Sequence, residues 1–427
     1  MVTAVVDIET DSLDATLVHC IVACDYTTGQ EKVWIQDECI EFASWAKKID
    51  TFIMHNGVSF DAPVLNRLLG SGIKLSQVRD TLLESQLYNP IRDKGHSLGA
   101  WGERLGFPKG SHTEFEYYSA EMLEYCKQDV RVTRKVAQQL EKEGEKFSNK
   151  SYELERKVRA IVDQQEKNGF SFNLREAISF LATLEEEQHD LEDKAQEIFK
   201  PVTTYSAVRK VPKITKFNIA SRKQIADRLM QRGWEPSHHT DKGNVIVSEE
   251  ILSEIDMEEA QMFSRYFLLQ KRTGLLKAWI KACEEDDRVR GRVMTLRTVT
   301  GRMAHNSPNM AQVPAVYSPY GKECRSLWTI SNPDTHTLIG TDASGLELRC
   351  LAHYMNDPVF TEEVVNGDVH TANMKAAGLT DRDQAKTFIY AFLYGAGPAK
   401  IGKVVGGNAK TGQELITKFL SNMPKLK

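Results

Sequence analysis

Through the first 145 or so residues, short apolar runs alternate with segments of helical spacing. Residues 1–9 (MVTAVVDIE) and 20–26 (CIVACDY) read as strands, and 51–56 (TFIMHN) as a short buried strand. Residues 42–49 (FASWAKKI) and 62–70 (APVLNRLLG) read as helices. A long helix is predicted over 119–143, opened by Ser119 with Glu121 nearby. Strands alternating with helices make this an α/β region.

A charged seam, 141–151 (EKEGEKFSNKS), leads into a mainly helical stretch. Apolar positions at helical spacing predict helices over 153–168, stopping near Gly169, and over 175–200. A basic segment at 200–217 interrupts them. Helices resume at 218–233, with Ser221 as a cap, then at 248–255 and 259–283. From 288 onward the pattern is of strands and irregular segments. Residues 341–355 (TDASGLELRCLAHYM) then read as a strand running into a helix, with two more helices to follow.

Composition narrows the class. The chain has 427 residues, 41% hydrophobic and 27% charged, which fits two or three ordinary globular domains. No apolar run is long enough for a membrane span, and the N-terminus has no signal-peptide pattern. The seven cysteines form no CxxC pair, so neither a zinc site nor a disulfide framework is predicted and a reducing cytoplasm is favoured. The net charge of −4 gives no hint of nucleic acid, but its distribution does. Residues 200–226 hold seven Lys or Arg and no acid, and 288–322 hold six and no acid. Local cationic stretches are what release counterions from a phosphate backbone, and they can equally be solvated loops.

Candidate chemistry begins with Asp7 and Glu9. They sit at i and i+2 on the first strand, so both carboxylates share one face. Two acids so placed repel unless a cation neutralises them, and oxygen donors suit Mg²⁺ or Mn²⁺. HNGVSFD ends in Asp61, and YCKQD puts Tyr125 and Asp129 four apart on one helix face. Four acids converging in this way would suit two metal ions and in-line phosphodiester hydrolysis. DxE, NxxxFD and YxxxD in this order resemble the proofreading 3′–5′ exonucleases with the DEDD signature and ribonuclease-H-like fold. That resemblance implies Asp7, Glu9, Asp61 and Asp129 as metal ligands and Tyr125 as the group that orients water.

The second constellation lies in RDQAKTFIYAFLYGAG (382–397). Arg382, Lys386, Tyr390 and Tyr394 recur every four residues and form one helical stripe, two cations followed by two aromatics. Such a face can meet a triphosphate and a base, or be merely amphipathic. RxxxKxxxYxxxYG resembles the fingers helix of family A DNA polymerases. DASGLELR resembles their palm motif, and TGRMAHNSPNMAQVP (300–314) their primer–template segment. With NGDVHTAN (366–373), the wording is most similar to the replicative polymerases of short-tailed phages of the T-seven type.

The resemblance implies an α/β exonuclease domain at 1–145 followed by a right-hand polymerase: a thumb at 146–287, partial palm at 288–355 and partial fingers at 356–427. It implies Asp342 as a catalytic metal ligand, Glu347 beneath the sugar and His370 beside the triphosphate. Lys271, Arg302 and Gln312 become template–primer contacts. Tyrosine at 390 goes with acceptance of dideoxynucleotides. Primer–template DNA, dNTPs and Mg²⁺ or Mn²⁺ in two-metal sites are the implied ligands, in the cytoplasm of an infected bacterial host. Two departures qualify this. The thumb segment at 200–217 is short, so no thioredoxin binding is expected. No His-Asp-Glu triplet occurs, so the second catalytic aspartate is missing and synthesis is expected to need a second polypeptide. A stand-alone 3′–5′ exonuclease and a DNA-binding remnant are the alternative expectations.

Overall fold

In the computed structural model, which describes residues 2–206, 209–240 and 242–426, a five-stranded sheet organises the N-terminal region. Its strands are β1 (Thr3–Thr10), β2 (Val18–Asp25), β3 (Glu31–Ile35), β4 (Thr51–Met54) and β5 (Val78–Asp80). They lie in the order β3-β2-β1-β4-β5. The first three run antiparallel, and β4 and β5 add in parallel. This is the ribonuclease-H-like arrangement that the sequence motifs imply.

Helices α1 (Phe42–Ala46), α2 (Asp61–Leu69), α3 (Thr81–Tyr88), α4 (Leu98–Arg104) and α5 (Ala120–Gly144) surround the sheet. Ala4, Val6 and Ile8 of β1 enter a core with Phe42 and Leu65. Val5 points the other way, into a core with Met122, Cys126 and Val130 of α5. Asp7 and Glu9 continue the Val5 row, so strand alternation turns both toward α5. Asp61 is the first residue of α2 rather than a loop residue. That helix stops at Gly70, whose φ of 63° is left-handed and suits glycine at a C-cap.

Helix α6 (Asn149–Asn168) closes the outer edge of β5. The Tyr152 hydroxyl accepts the Asp80 N–H at 2.5 Å, and Arg156 donates to the Val78 carbonyl at 3.2 Å. Side chains thus do for this edge what another strand would do. Helices α7 (Leu174–Ile198), α8 (Arg222–Met230), α9 (Glu249–Ser253) and α10 (Glu258–Ala282) follow. Leu184, Leu269, Leu276 and Trp279 join α7 to α10. Ile225, Leu252 and Phe263 join α8 and α9 to the start of α10. The basic segment is more than an interruption, because Val202–Ser206 and Arg209–Thr215 pair as an antiparallel hairpin. The side chains of Arg209, Lys210 and Lys213 lie outside the described residues.

The chain divides into two compact units, Met1–Thr337 and Leu338–Lys427. Helix α11 (Gly321–Ser326) belongs to the first. The second contains α12 (Leu346–Met355), α13 (Pro358–Val365), α14 (Val369–Ala377), α15 (Arg382–Leu393), α16 (Pro398–Val404) and α17 (Ala409–Asn422). Two sequence expectations fail here. After Met355 there are five α-helices among the described residues, not two, because capping residues subdivide the apolar pattern. Asp357, Asp368, Asp381 and Asn408 each accept backbone N–H groups at a helix start. And the expected strand at Thr341 does not form. A strand needs a ladder partner, and among the described residues of the second unit there is no strand to supply one; Leu338 and Ile339 stand 61% and 79% exposed. Among the described residues no helix is long and apolar enough to cross a membrane.

Candidate active sites

Asp7 and Glu9 emerge from the buried end of β1, opposite the face of α5 that carries Cys126 and Asp129. Among the described residues, ligand atoms of Asp7, Glu9 and Cys126 all lie within 4.8 Å of one another. Asp129 and Asp61 lie outside that group but near enough for charge to couple each of them with Asp7. Both are almost fully buried, at 4% and 3% exposure. The Cys126 thiol donates to the Asp7 backbone oxygen at 3.5 Å and to Oδ2 at 3.6 Å.

Burial and mutual repulsion dominate the electrostatics. Asp7 is pushed up to about 7, first by burial and then by the charge of Asp129. Glu9 is pushed up to about 10, by burial and then by Asp7. Asp61 is raised by burial and Asp7. Asp129 is raised by burial, which Lys109 and the Tyr125 hydroxyl oppose. Lys109 Nζ lies 2.5 Å from Asp129 Oδ2 and 4.5 Å from the centre of the Tyr125 ring. His112 and Phe115 pack on the same ring, with centroids at 5.8 and 6.2 Å.

Asp80, at the end of β5, positions the loop before Asp61. Its carboxylate accepts from Asn56 N–H at 2.9 Å, Val58 N–H at 3.0 Å and Leu82 N–H at 2.9 Å. One buried side chain therefore caps α3 and pins the turn that delivers Asp61.

The second unit holds its own cluster. Asp342, His370, Arg382, Lys386 and Tyr390 line one cavity of about 600 Å³. Tyr390 is raised by burial and then by the charges of Glu347 and Asp342. The His370 and Tyr390 rings lie 6.1 Å apart. The Tyr394 hydroxyl donates to Glu347 Oε1 at 2.6 Å, which ties the end of α15 to the first turn of α12. Arg382 is engaged by Asp368 through two hydrogen bonds, at 2.9 and 3.0 Å. Asp342 itself is exposed, on the segment where no strand forms.

Residues 180–427 match the profile of DNA polymerase family A, and residues 3–145 match that of a 3′-5′ exonuclease. The chain belongs to DNA polymerase family A. It is similar to the DNA-directed DNA polymerase of Escherichia phage T7, at 29% identity over 98% of this chain and 79% of that one. The DNA-directed DNA polymerase of Enterobacteria phage T3 matches at 29% identity with the same coverage. Among solved structures, the POL domain of Pol1 from M. smegmatis, in complex with DNA primer-template and dNTP, aligns with a TM-score of 0.75. At 16% identity over 99% of this chain and 73% of that one, it supports the fold.

In this family A chain the residues expected to contact DNA lie in the first unit. Lys271 is exposed on α10 and pairs with Glu249 at 2.7 Å. Arg302 closes a turn in which Thr298 Oγ1 accepts its N–H. Gln312 is exposed on a short 3₁₀ turn, Met310–Gln312. Sequence reasoning missed Lys109, Asp80, Cys126 and Asp368. An aspartate directly before TLL and VHT is a capping signal that could have marked Asp80 and Asp368. No local pattern marks Lys109.

Proposed function

We propose that the N-terminal domain removes nucleotides from DNA 3′ ends with Asp7, Glu9, Asp61 and Asp129 as the ligands of divalent cations, Mg²⁺ or Mn²⁺. The observation that carries this is the set of buried carboxylates whose ionisation is opposed by burial and by one another. Asp129 Oδ1 is buried with no hydrogen-bond partner, as a donor atom awaiting a cation would be. Such ions, when bound, stabilise the attacking and leaving oxygens of an in-line phosphoryl displacement. Tyr125, fixed between His112, Phe115 and Lys109, orients the attacking water. The 1–145 exonuclease domain, 146–287 thumb, 288–355 palm and 356–427 fingers are the division we propose.

The second unit would carry out template-directed synthesis from dNTPs in a phage replication role; the similarity to the DNA-directed DNA polymerases of phages T7 and T3 supports this reading. Arg382, Lys386 and His370 would meet the triphosphate, Tyr390 and Tyr394 the base and sugar, and Glu347 would sit under the ribose position. Asp342 would hold one divalent ion. A second carboxylate ligand would come from a partner polypeptide, because the sequence has no His-Asp-Glu triplet. One observation favours exonuclease activity without synthesis as the second reading: the N-terminal carboxylates are buried and clustered, whereas Asp342 is exposed.

A 5′-labelled primer on a longer template tests both, with Mg²⁺ and with or without dNTPs. Shortening in both lanes supports the exonuclease; lengthening with dNTPs supports synthesis by this chain. Asp7→Ala with Glu9→Ala should abolish shortening and leave DNA binding intact. Retained shortening would refute the carboxylate assignment.

A further inference from the structure

A cationic group already stands in the carboxylate centre. Lys109 Nζ reaches Asp129 Oδ2 at 2.5 Å, and this Lys side chain is 27% exposed against 4% for its partner. Its charge also acts on Asp7 and Glu9, against the repulsion among the acids.

The placement of this lysine is built in. The Pro108 carbonyl accepts from Gln128 Nε2 at 2.8 Å, so the residue preceding Asp129 on α5 anchors the residue preceding Lys109. Gly102 of α4 lets the loop come close: a Cβ there would stand 2.9 Å from both the Phe107 oxygen and the Lys109 nitrogen. On its other side Lys109 lines a cavity of about 430 Å³ with His55, His96, Arg292 and Arg297. The carboxylate of that cavity is Asp80, which backbone N–H groups already engage. The neighbouring cations therefore leave Asp129 as the favourable partner for the ammonium.

We propose that Lys109 is the resting counter-cation of the exonuclease centre: it neutralises Asp129 before a divalent ion enters, and it competes with that ion. This rests on reading the four acids as a divalent-cation centre. An ion approaching Asp129 must break a charge-assisted hydrogen bond and enter the field of a fixed positive charge. The centre therefore binds divalent cations less tightly than its four carboxylates alone would. Lys109 is a positioning residue here, acting through Asp129.

The test is Mn²⁺ titration of the full chain, without DNA or turnover, following free Mn²⁺ by electron paramagnetic resonance. Lys109→Met keeps the aliphatic stem and removes the charge; it should bind Mn²⁺ about tenfold more tightly than the wild type. Lys109→Arg keeps the charge and should show no such gain. Unchanged or weaker Mn²⁺ binding in a folded Lys109→Met protein overturns the proposal, as does an equal gain in Lys109→Arg. Should Lys109→Met misfold, Lys109→Gln is held to the same criterion. Asp7→Ala with Glu9→Ala separates the two levels. If the wild type binds no more Mn²⁺ than this double variant, the cation centre itself is wrong. If it binds more, but Lys109→Met matches the wild type, only the role of Lys109 fails.

Discussion

Asp368 holds Arg382 through a two-bond ion pair while also capping α14, with Oδ1 accepting from the N–H groups of His370 and Thr371. The first cation of the Arg382–Lys386–Tyr390–Tyr394 stripe is thus bound to an internal carboxylate. Both partners are about half exposed, so solvent screens the pair and it contributes little stability. Its negative charge, however, lies in the cavity where a triphosphate would bind. Asp368→Asn keeps a capping oxygen and removes that charge. Its dNTP affinity, read by calorimetry, should rise about fivefold. A fall in affinity would mean instead that Asp368 orients Arg382 for the nucleotide.

Asp80 gives a stability prediction. Asp80→Ala removes the α3 cap and leaves the Asn56 and Val58 N–H groups without their acceptor. Urea unfolding should show a loss of about 2–4 kcal/mol. Primer degradation should fall further than this loss explains at temperatures where the variant is folded, because the turn carrying Asp61 is released. Normal degradation by the folded variant would show that Asp61 is positioned without Asp80.

His55 sets an acid limit. Its ring is pushed down from 6.5 to about 4, by burial and then by the Lys109 charge, and Nδ1 shares a hydrogen bond with Thr81 Oγ1 at 2.9 Å. The folded value lies below the unfolded one, so the neutral ring contributes fully above about pH 6.5. That contribution is lost as pH falls through 6.5 toward 4, up to about 3 kcal/mol. Thermal melts should drop across this window, and His55→Gln should flatten the drop. An unchanged profile in that variant would assign the acid sensitivity elsewhere.

DNA binding should be strongly salt dependent. If six phosphates are contacted, affinity falls about a thousandfold between 50 and 200 mM salt. Arg292→Ala with Arg297→Ala should lower the slope of log affinity against log salt, since both side chains are exposed in the first unit. A flat salt response would mean that the basic stretches are only solvated.

Much of this protein was legible from spacing. Period two is enough to put Asp7 and Glu9 on one strand face, and i, i+4 enough to put Tyr125 and Asp129 on one helix. Motif order was enough to imply the exonuclease and family A polymerase regions, which the family matches bear out. The long helices 120–144, 174–198 and 258–282 follow from repeated apolar positions over many turns.

Where the prediction failed, the deciding partner was distant or the signal was a single capping residue. Asp342 lies on no strand because pairing, not local pattern, makes a strand. The second unit has more helices than its apolar rhythm suggested because individual Asp and Asn side chains restart the backbone ladder. Lys109 meets Asp129 across 20 residues, and Tyr152 closes β5 across 72. The sequence by itself determined which groups share a face, because that depends only on the repeat of the backbone. Tertiary structure alone decided which charges meet and which are buried, because those depend on elements that fold together from far apart.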